Sequence, residues 1–263
     1  MNKANDIIKE DDYVLIYIDE RRVFISRVGR GKRFESDRGV LELEKLIGLP
    51  YGIKIELSTG VKALILKPLF YDFFIKYRRR TQVIYPKDLG FIVFLSGISN
   101  GSHVLEAGVG TGFLTTTLAH IVKPNGKVYA YEIRRDFYEN ALRNLRISGL
   151  LEYVELRLGS VKNAENELSD LDAAFLDLAD PWNFIDTVYK VVKPSAPTIF
   201  FVPTVNQVEK TVLALRRHGG FADIHAYEIM LREYQVKENA TRPRPFMIGH
   251  TGYIVFARRV LLE

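Results

Sequence analysis

Two rhythms of apolar and polar positions divide the chain. Through residues 12–67 the side chains alternate over short stretches. Tyr13, Leu15 and Tyr17 alternate with their neighbours up to the charged run Asp19-Glu20-Arg21-Arg22, and Val23-Phe24-Ile25 follows. Gly29, Gly31, Gly39, Gly52 and Gly60 interrupt the rest. Runs of this kind, bounded by glycine, predict short antiparallel strands in a small barrel or sandwich. The character changes at Pro68, so residues 1–70 are expected to form a small β domain. From about residue 86 short apolar runs alternate with helical periodicity. Strands are expected at 104–107, 127–132, 154–158, 173–177 and 198–202. Helices are expected at 114–122, 136–147, 183–192 and 206–218, with a weaker one near 162–168. Strand–helix alternation predicts an α/β domain over residues 71–263, with a parallel sheet covered on both faces. Residues 227–231 and 252–257 are late strand candidates for a closing antiparallel pair.

Composition narrows the class. No apolar run approaches the roughly 18 to 20 residues that a spanning helix needs; the best, 90–98, is short. The first dozen residues hold no apolar core of a secretory leader, so a cytoplasmic location is expected. Cysteine is absent, which excludes disulfides, thiolate metal sites and cysteine nucleophiles. The net charge is +5, and it is uneven: residues 71–135 hold nine basic and four acidic side chains. Lys76, Arg78, Arg79, Arg80, Arg134 and Arg135 carry most of the excess. Such a segment is either a phosphate-attracting surface or a solvated basic loop, and charge alone leaves both open.

The strongest local signal is Glu106-Ala107-Gly108-Val109-Gly110-Thr111-Gly112, placed after a strand and before a helix. Alternate glycines let the backbone turn sharply and approach a ligand closely. The spacing is neither that of a dinucleotide-binding turn nor that of a triphosphate loop. Glu106 would repel a pyrophosphate but suits a cationic ligand. Glu132, at the end of the next strand, is placed to accept hydrogen bonds from ribose hydroxyls. Asp177-Leu178-Ala179-Asp180-Pro181-Trp182 follows the fourth strand and should face the same crevice. Asp177 suits an exocyclic amine; Trp182 is either a stacking surface for a base or a core residue.

This pattern resembles the cofactor site of class I methyltransferases, whose donor is S-adenosyl-L-methionine. A closer resemblance rests on three segments together. They are Arg79-Arg80-Thr81-Gln82-Val83-Ile84-Tyr85-Pro86-Lys87-Asp88, the glycine loop with 177–182, and Gly249-His250-Thr251-Gly252-Tyr253-Ile254-Val255-Phe256-Ala257-Arg258-Arg259. They look like the tRNA (adenine-N1)-methyltransferase family that modifies position 58 of the T loop, whose archaeal members also modify position 57. The resemblance implies a Rossmann-like sheet, mostly parallel with an antiparallel closing strand, and a small N-terminal β domain. It implies that Gly108, Gly110, Thr111, Gly112, Phe113 and Leu114 line the methionine part of the cofactor, with Glu106 beside them. Glu132 would hold the ribose, Ser160 and Val161 would lie by the adenine, and Gln82 at the entrance. Asp177 and Tyr85 would be the catalytic pair. Arg78, Arg79, Arg80, Tyr85, Trp182 and His250 would meet the RNA, although His250 also suits a turn cap. A homotetramer is implied, with no metal. Ser160 stands where many members have an acid, Ala179 replaces a proline, and intersubunit disulfides are impossible without cysteine. His103, His120, His218 and His225 lack metal-type spacing and are assigned surface or core roles.

The expected chemistry is attack of the adenine N1 lone pair on a sulfonium methyl, with alignment as the main contribution of the protein. A carboxylate near N6 would stabilise the cationic product, and the base would have to leave its stack. Two other readings remain at this point. One is a class I methyltransferase of a protein or small metabolite; the other is a non-catalytic tRNA-binding subunit.

Overall fold

The computed structural model describes residues 6–79 and 81–262. The chain divides into two compact units at Tyr77 and Arg78. In the first, β1 (Tyr13–Asp19) and β2 (Arg22–Arg27) form a hairpin. The other side of β1 pairs with β6 (Lys62–Leu66), and β6 pairs with β5 (Ile53–Glu56), all antiparallel. The hairpin turn is held by charge: Arg22 bonds Asp19 at 2.9 Å and Asp37 at 2.7 Å. A separate hairpin joins β3 (Arg33–Ser36) to β4 (Gly39–Glu42). Among the described residues the strands therefore form an open four-stranded sheet and a hairpin, and the ends of the sheet do not close into a barrel. Ile8, Val14, Ile16, Phe34, Leu41 and Ile65 make its core.

The second unit is built on a seven-stranded sheet. Its elements are α1 (Pro86–Ser96), β7 (His103–Ala107), α2 (Phe113–Val122), β8 (Lys127–Glu132), α3 (Arg135–Ser148), β9 (Val154–Leu158), α4 (Ala164–Glu167), β10 (Ala173–Leu176), α5 (Ile185–Val191), β11 (Pro197–Val202), α6 (Val205–His218), β12 (Phe221–Tyr227), β13 (Tyr234–Gln235), β14 (Arg242–Pro243) and β15 (Tyr253–Arg259). The order across the sheet is β12-β15-β11-β10-β7-β8-β9. Strands β7 to β11 run parallel, and β15 is antiparallel to both β11 and β12. The central strands are buried on both faces, which is why they read as unbroken apolar runs: every residue of β10 is buried. Leu105, Ala174, Phe200 and Val255 lie in one core with Val188, Val191 and Leu215 from α5 and α6.

Helix starts follow local chemistry. Pro86 occupies the first turn of α1, where its missing N–H costs nothing, and Gly97 ends that helix in the left-handed conformation. Thr204 caps α6 by accepting from the Gln207 N–H. One expectation is corrected. The strand sought at 227–231 runs over Phe221–Tyr227 instead, and Met230 and Leu231 are exposed. This edge strand leaves Ala222, Asp223, His225 and Ala226 exposed, so it presents no apolar run to the eye. No helix among the described residues is long and apolar enough to cross a membrane.

Phe200 is fully buried at the centre of the sheet. Phe200→Ala is expected to cost about 3–5 kcal/mol, read as a lower midpoint in chemical denaturation with an unchanged slope.

Candidate active site

Strand order reverses between β7 and β10, and ligands in open α/β sheets bind beyond the carboxyl ends of strands at such a point. The glycine loop leaves β7 there. Gly108 has a φ of +86°, and a Cβ built on it would stand 2.0 Å from the carbonyl oxygen of Asp177. Only glycine lets the β7 and β10 ends approach this closely. Gly110 is also left-handed, and a Cβ there would meet the Thr81 hydroxyl at 2.9 Å. Gly112 starts α2 in the left-handed conformation. The Asp177 N–H donates to the Ala107 carbonyl at 2.9 Å, which holds the two strand ends in register.

A cavity of about 350 Å³ opens over this turn. It brings together Gln82, Gly108, Gly110, Thr111, Phe113, Leu114, Glu132 and Asp177 from four separate parts of the sequence. Thr81, Val83 and Ile84 line it as well. The segment that carries them is stitched across the loop. The Thr81 and Thr111 hydroxyls are 2.8 Å apart, and Asn144 donates to the Thr111 carbonyl at 2.9 Å. Asn140 donates to the Arg78 carbonyl at 2.8 Å, and the Arg79 guanidinium lies 5.4 Å from the centre of the Phe113 ring.

Other singled-out residues lie outside the lining. Glu106 is fully buried, accepts from the Thr115 hydroxyl at 2.9 Å, and leaves Oε2 without a hydrogen-bond partner among the described residues. Ser160 accepts from the Lys162 N–H and caps the short turn that contains the buried Val161. Tyr85 is half-buried at the start of α1. Trp182 packs against the sheet core with the Lys210 ammonium 5.1 Å over its ring. His250 bridges Glu228 at 2.7 Å and the Pro203 carbonyl at 2.8 Å. Arg78 and Arg79 are exposed. Arg80 lies outside the described residues.

Three carboxyl groups shape the electrostatics. Glu132 accepts from the Gly110 N–H at 3.0 Å and the Arg134 N–H at 2.9 Å. Burial pushes Glu106 up to about 8; the Thr115 hydroxyl opposes this, and the charges of Asp177 and Glu132 reinforce it. Burial beside Glu132 pushes Asp177 up to about 7. Acids held near neutrality in a low-dielectric crevice favour a cation and disfavour phosphate.

The family model described as "tRNA methyltransferase complex GCD14 subunit" matches residues 64–243. The chain belongs to this family. The tRNA (adenine(57)-N(1)/adenine(58)-N(1))-methyltransferase TrmI of Methanocaldococcus jannaschii is 33% identical, over 92% of this chain and 94% of that protein. The crystal structure of the tRNA (m1A58) methyltransferase TrmI from Aquifex aeolicus superposes with a TM-score of 0.83 at 30% identity, over 98% of this chain and all of that one. The crystal structure of a SAM-dependent O-methyltransferase from Thermotoga maritima superposes with a TM-score of 0.91 at 32% identity, over the whole of this chain and 98% of that one.

In this GCD14-family chain the cavity also uses Ile133 and Phe137, which no motif singled out, and Arg134, which stood out in the sequence only for its charge. Ile133, Arg134 and Phe137 line it, with the Arg134 guanidinium 3.7 Å from the centre of the Phe137 ring. Their signal was position: they follow Glu132 directly, on the turn into α3.

The raised acids make stability depend on pH. In the unfolded chain Glu106 ionises near its ordinary value of 4.5, while the native chain keeps its proton to about 8. The native state therefore binds more protons between these values, and stability falls as pH rises through that window. Melting temperatures of the protein should decline between about pH 5 and 8, and Glu106→Gln should flatten the decline. An equally steep decline in the variant would assign it to other groups.

Proposed function

We propose that this protein transfers a methyl group from S-adenosyl-L-methionine to N1 of an adenosine in the T loop of tRNA, at position 58, with position 57 as a second target. One observation carries the reading. The family-specific run Thr81-Gln82-Val83-Ile84 and the general glycine cradle line the same cavity as Asp177. A signature for the acceptor and a signature for the donor thus meet at one place.

The residues present fit the donor. Gly108 and Gly110 line the cavity with backbone and no side chain. The three carboxyl groups suit a molecule with a sulfonium and an ammonium and no phosphate. When bound, S-adenosyl-L-methionine supplies an electrophilic methyl group. Glu132 stands at the end of β8, where a carboxylate accepts from ribose hydroxyls. Phe113, Leu114, Val109 and Leu178 give the cavity apolar walls that exclude water from the reacting atoms.

Asp177 does the acceptor-side chemistry. Its carboxyl group lines the cavity and is poised near 7, so it accepts a hydrogen bond from the adenine N6 amine and offsets the positive charge that develops on the ring. Tyr85 receives the base at the start of α1, and Gln82 guards the entrance. Arg78, Arg79 and Arg80 hold the RNA backbone, which fixes the target after it turns out of the T loop. We further propose division into a β domain and a methyltransferase domain, and assembly as a cytoplasmic, archaeal-type homotetramer without disulfide links. Large apolar side chains left exposed, such as Phe94 and Val205, support that assembly.

Incubation with labelled S-adenosyl-L-methionine and an unmodified tRNA transcript, followed by nucleoside analysis, should yield 1-methyladenosine in the T loop. Cofactor binding without incorporation into tRNA would send the reading to O-methylation of a protein or metabolite. Asp177→Ala should lower kcat by roughly 10²–10³-fold while tRNA binding persists. Normal turnover in that variant would remove Asp177 from the chemistry.

A further inference from the structure

Between β12 and β15 the chain makes a long excursion. Every residue from 230 to 250 is exposed except Gln235 and Pro243. Its only regular structure is the two-residue pairing of β13 with β14. Arg232, Lys237, Arg242 and Arg244 outnumber Glu233 and Glu238 along it, with Arg244 paired to Glu233 at 3.1 Å. Tyr234 and Phe246 are 56% and 91% exposed. Cations interleaved with exposed aromatics are the chemistry of a nucleic-acid surface. An arm with no core of its own takes its position from its feet.

The feet are tied to the first turn of α1. The Lys87 ammonium donates to Asp88 at 2.8 Å, to the Ile229 carbonyl at 2.6 Å and to the Thr251 hydroxyl at 2.5 Å. Thr251 in turn donates to the other Asp88 oxygen at 2.7 Å. All three donors of the ammonium are satisfied, and both carboxylate oxygens. The side chains of Lys87 and Asp88 are 7% and 0% exposed. Asp88 and Leu89 each donate their N–H to the Tyr85 carbonyl at 2.9 Å. One buried network therefore joins the turn that presents Tyr85 to both feet of the arm. Just inside it, His250 donates from Nε2 to the Pro203 carbonyl and meets Glu228 through Nδ1.

Burying an ion pair brings little net stability against an apolar replacement, but it fixes one geometry. We infer that Lys87 is a positioning residue: its buried bonds to Asp88, Ile229 and Thr251 set the 230–250 arm against the Tyr85 turn, so that the tRNA gripped by the arm presents its target to the site. This rests on the tRNA methyltransferase reading above.

The test compares the wild-type protein with Lys87→Arg and Thr251→Val. Lys87→Arg keeps the charge but cannot direct three donors from one nitrogen. Thr251→Val keeps the shape and leaves the Lys87–Asp88 pair intact. In both, KM for tRNA should rise about tenfold, the loss expected of a charge-assisted bond. The values of kcat and cofactor affinity should stay near wild type. Hydrogen exchange should quicken across residues 229–251 and not at the glycine loop. Unchanged KM for tRNA in both folded variants would overturn the inference. So would a parallel loss of cofactor affinity and melting temperature, which marks a merely structural pair. A wild-type protein that binds cofactor but methylates no tRNA would overturn the functional reading and this inference with it.

Discussion

The site depends on one close approach between two strand ends. The carbonyl of Asp177 lies where any side chain at position 108 would have to be. Because Gly108 carries none, β7 and β10 finish side by side, and Asp177 is delivered to the turn that follows β7. The Gly110 N–H then reaches Glu132 on the other neighbouring strand. Three carboxyl groups that start on β7, β8 and just past β10 converge for this reason. Burial first, and the charges of neighbouring carboxylates second, raise Glu106 and Asp177 above the usual carboxylate range.

Much of this was legible in the sequence because the relevant forces are local. Strands β7, β8, β10 and β11 are buried on both faces and read as apolar runs. The glycine loop, Glu132 and Asp177 sit at strand ends, where order along the chain maps directly onto position in a parallel sheet. The family signature added the segment 79–88, and four of its residues line the cavity.

What stayed hidden required knowledge of distant neighbours. Lys87 and Asp88 look like ordinary charges on a helix, and nothing local says that Thr251, far along the chain, buries them. Trp182 reads in the sequence as either a stacking surface or a core residue, and only its distant neighbours show the ring packed on the core with the Lys210 ammonium over it. His250 belongs to a recognisable block, but its bonds to Glu228 and Pro203 lie across elements that no periodicity connects. Edge strand β12 escaped because a strand with one wet face and a register shift shows no clean pattern.

Acids that titrate near neutrality give the crevice an adjustable charge. Asp177 lines the cavity and burial raises it to about 7, so a positive charge held there favours its ionised form. Donor and spent product differ at the sulfur by one positive charge. A crevice that ionises in answer to the first has no comparable response to the second. Asp177 is thus a cavity carboxyl group whose charge follows the charge of what the cavity holds.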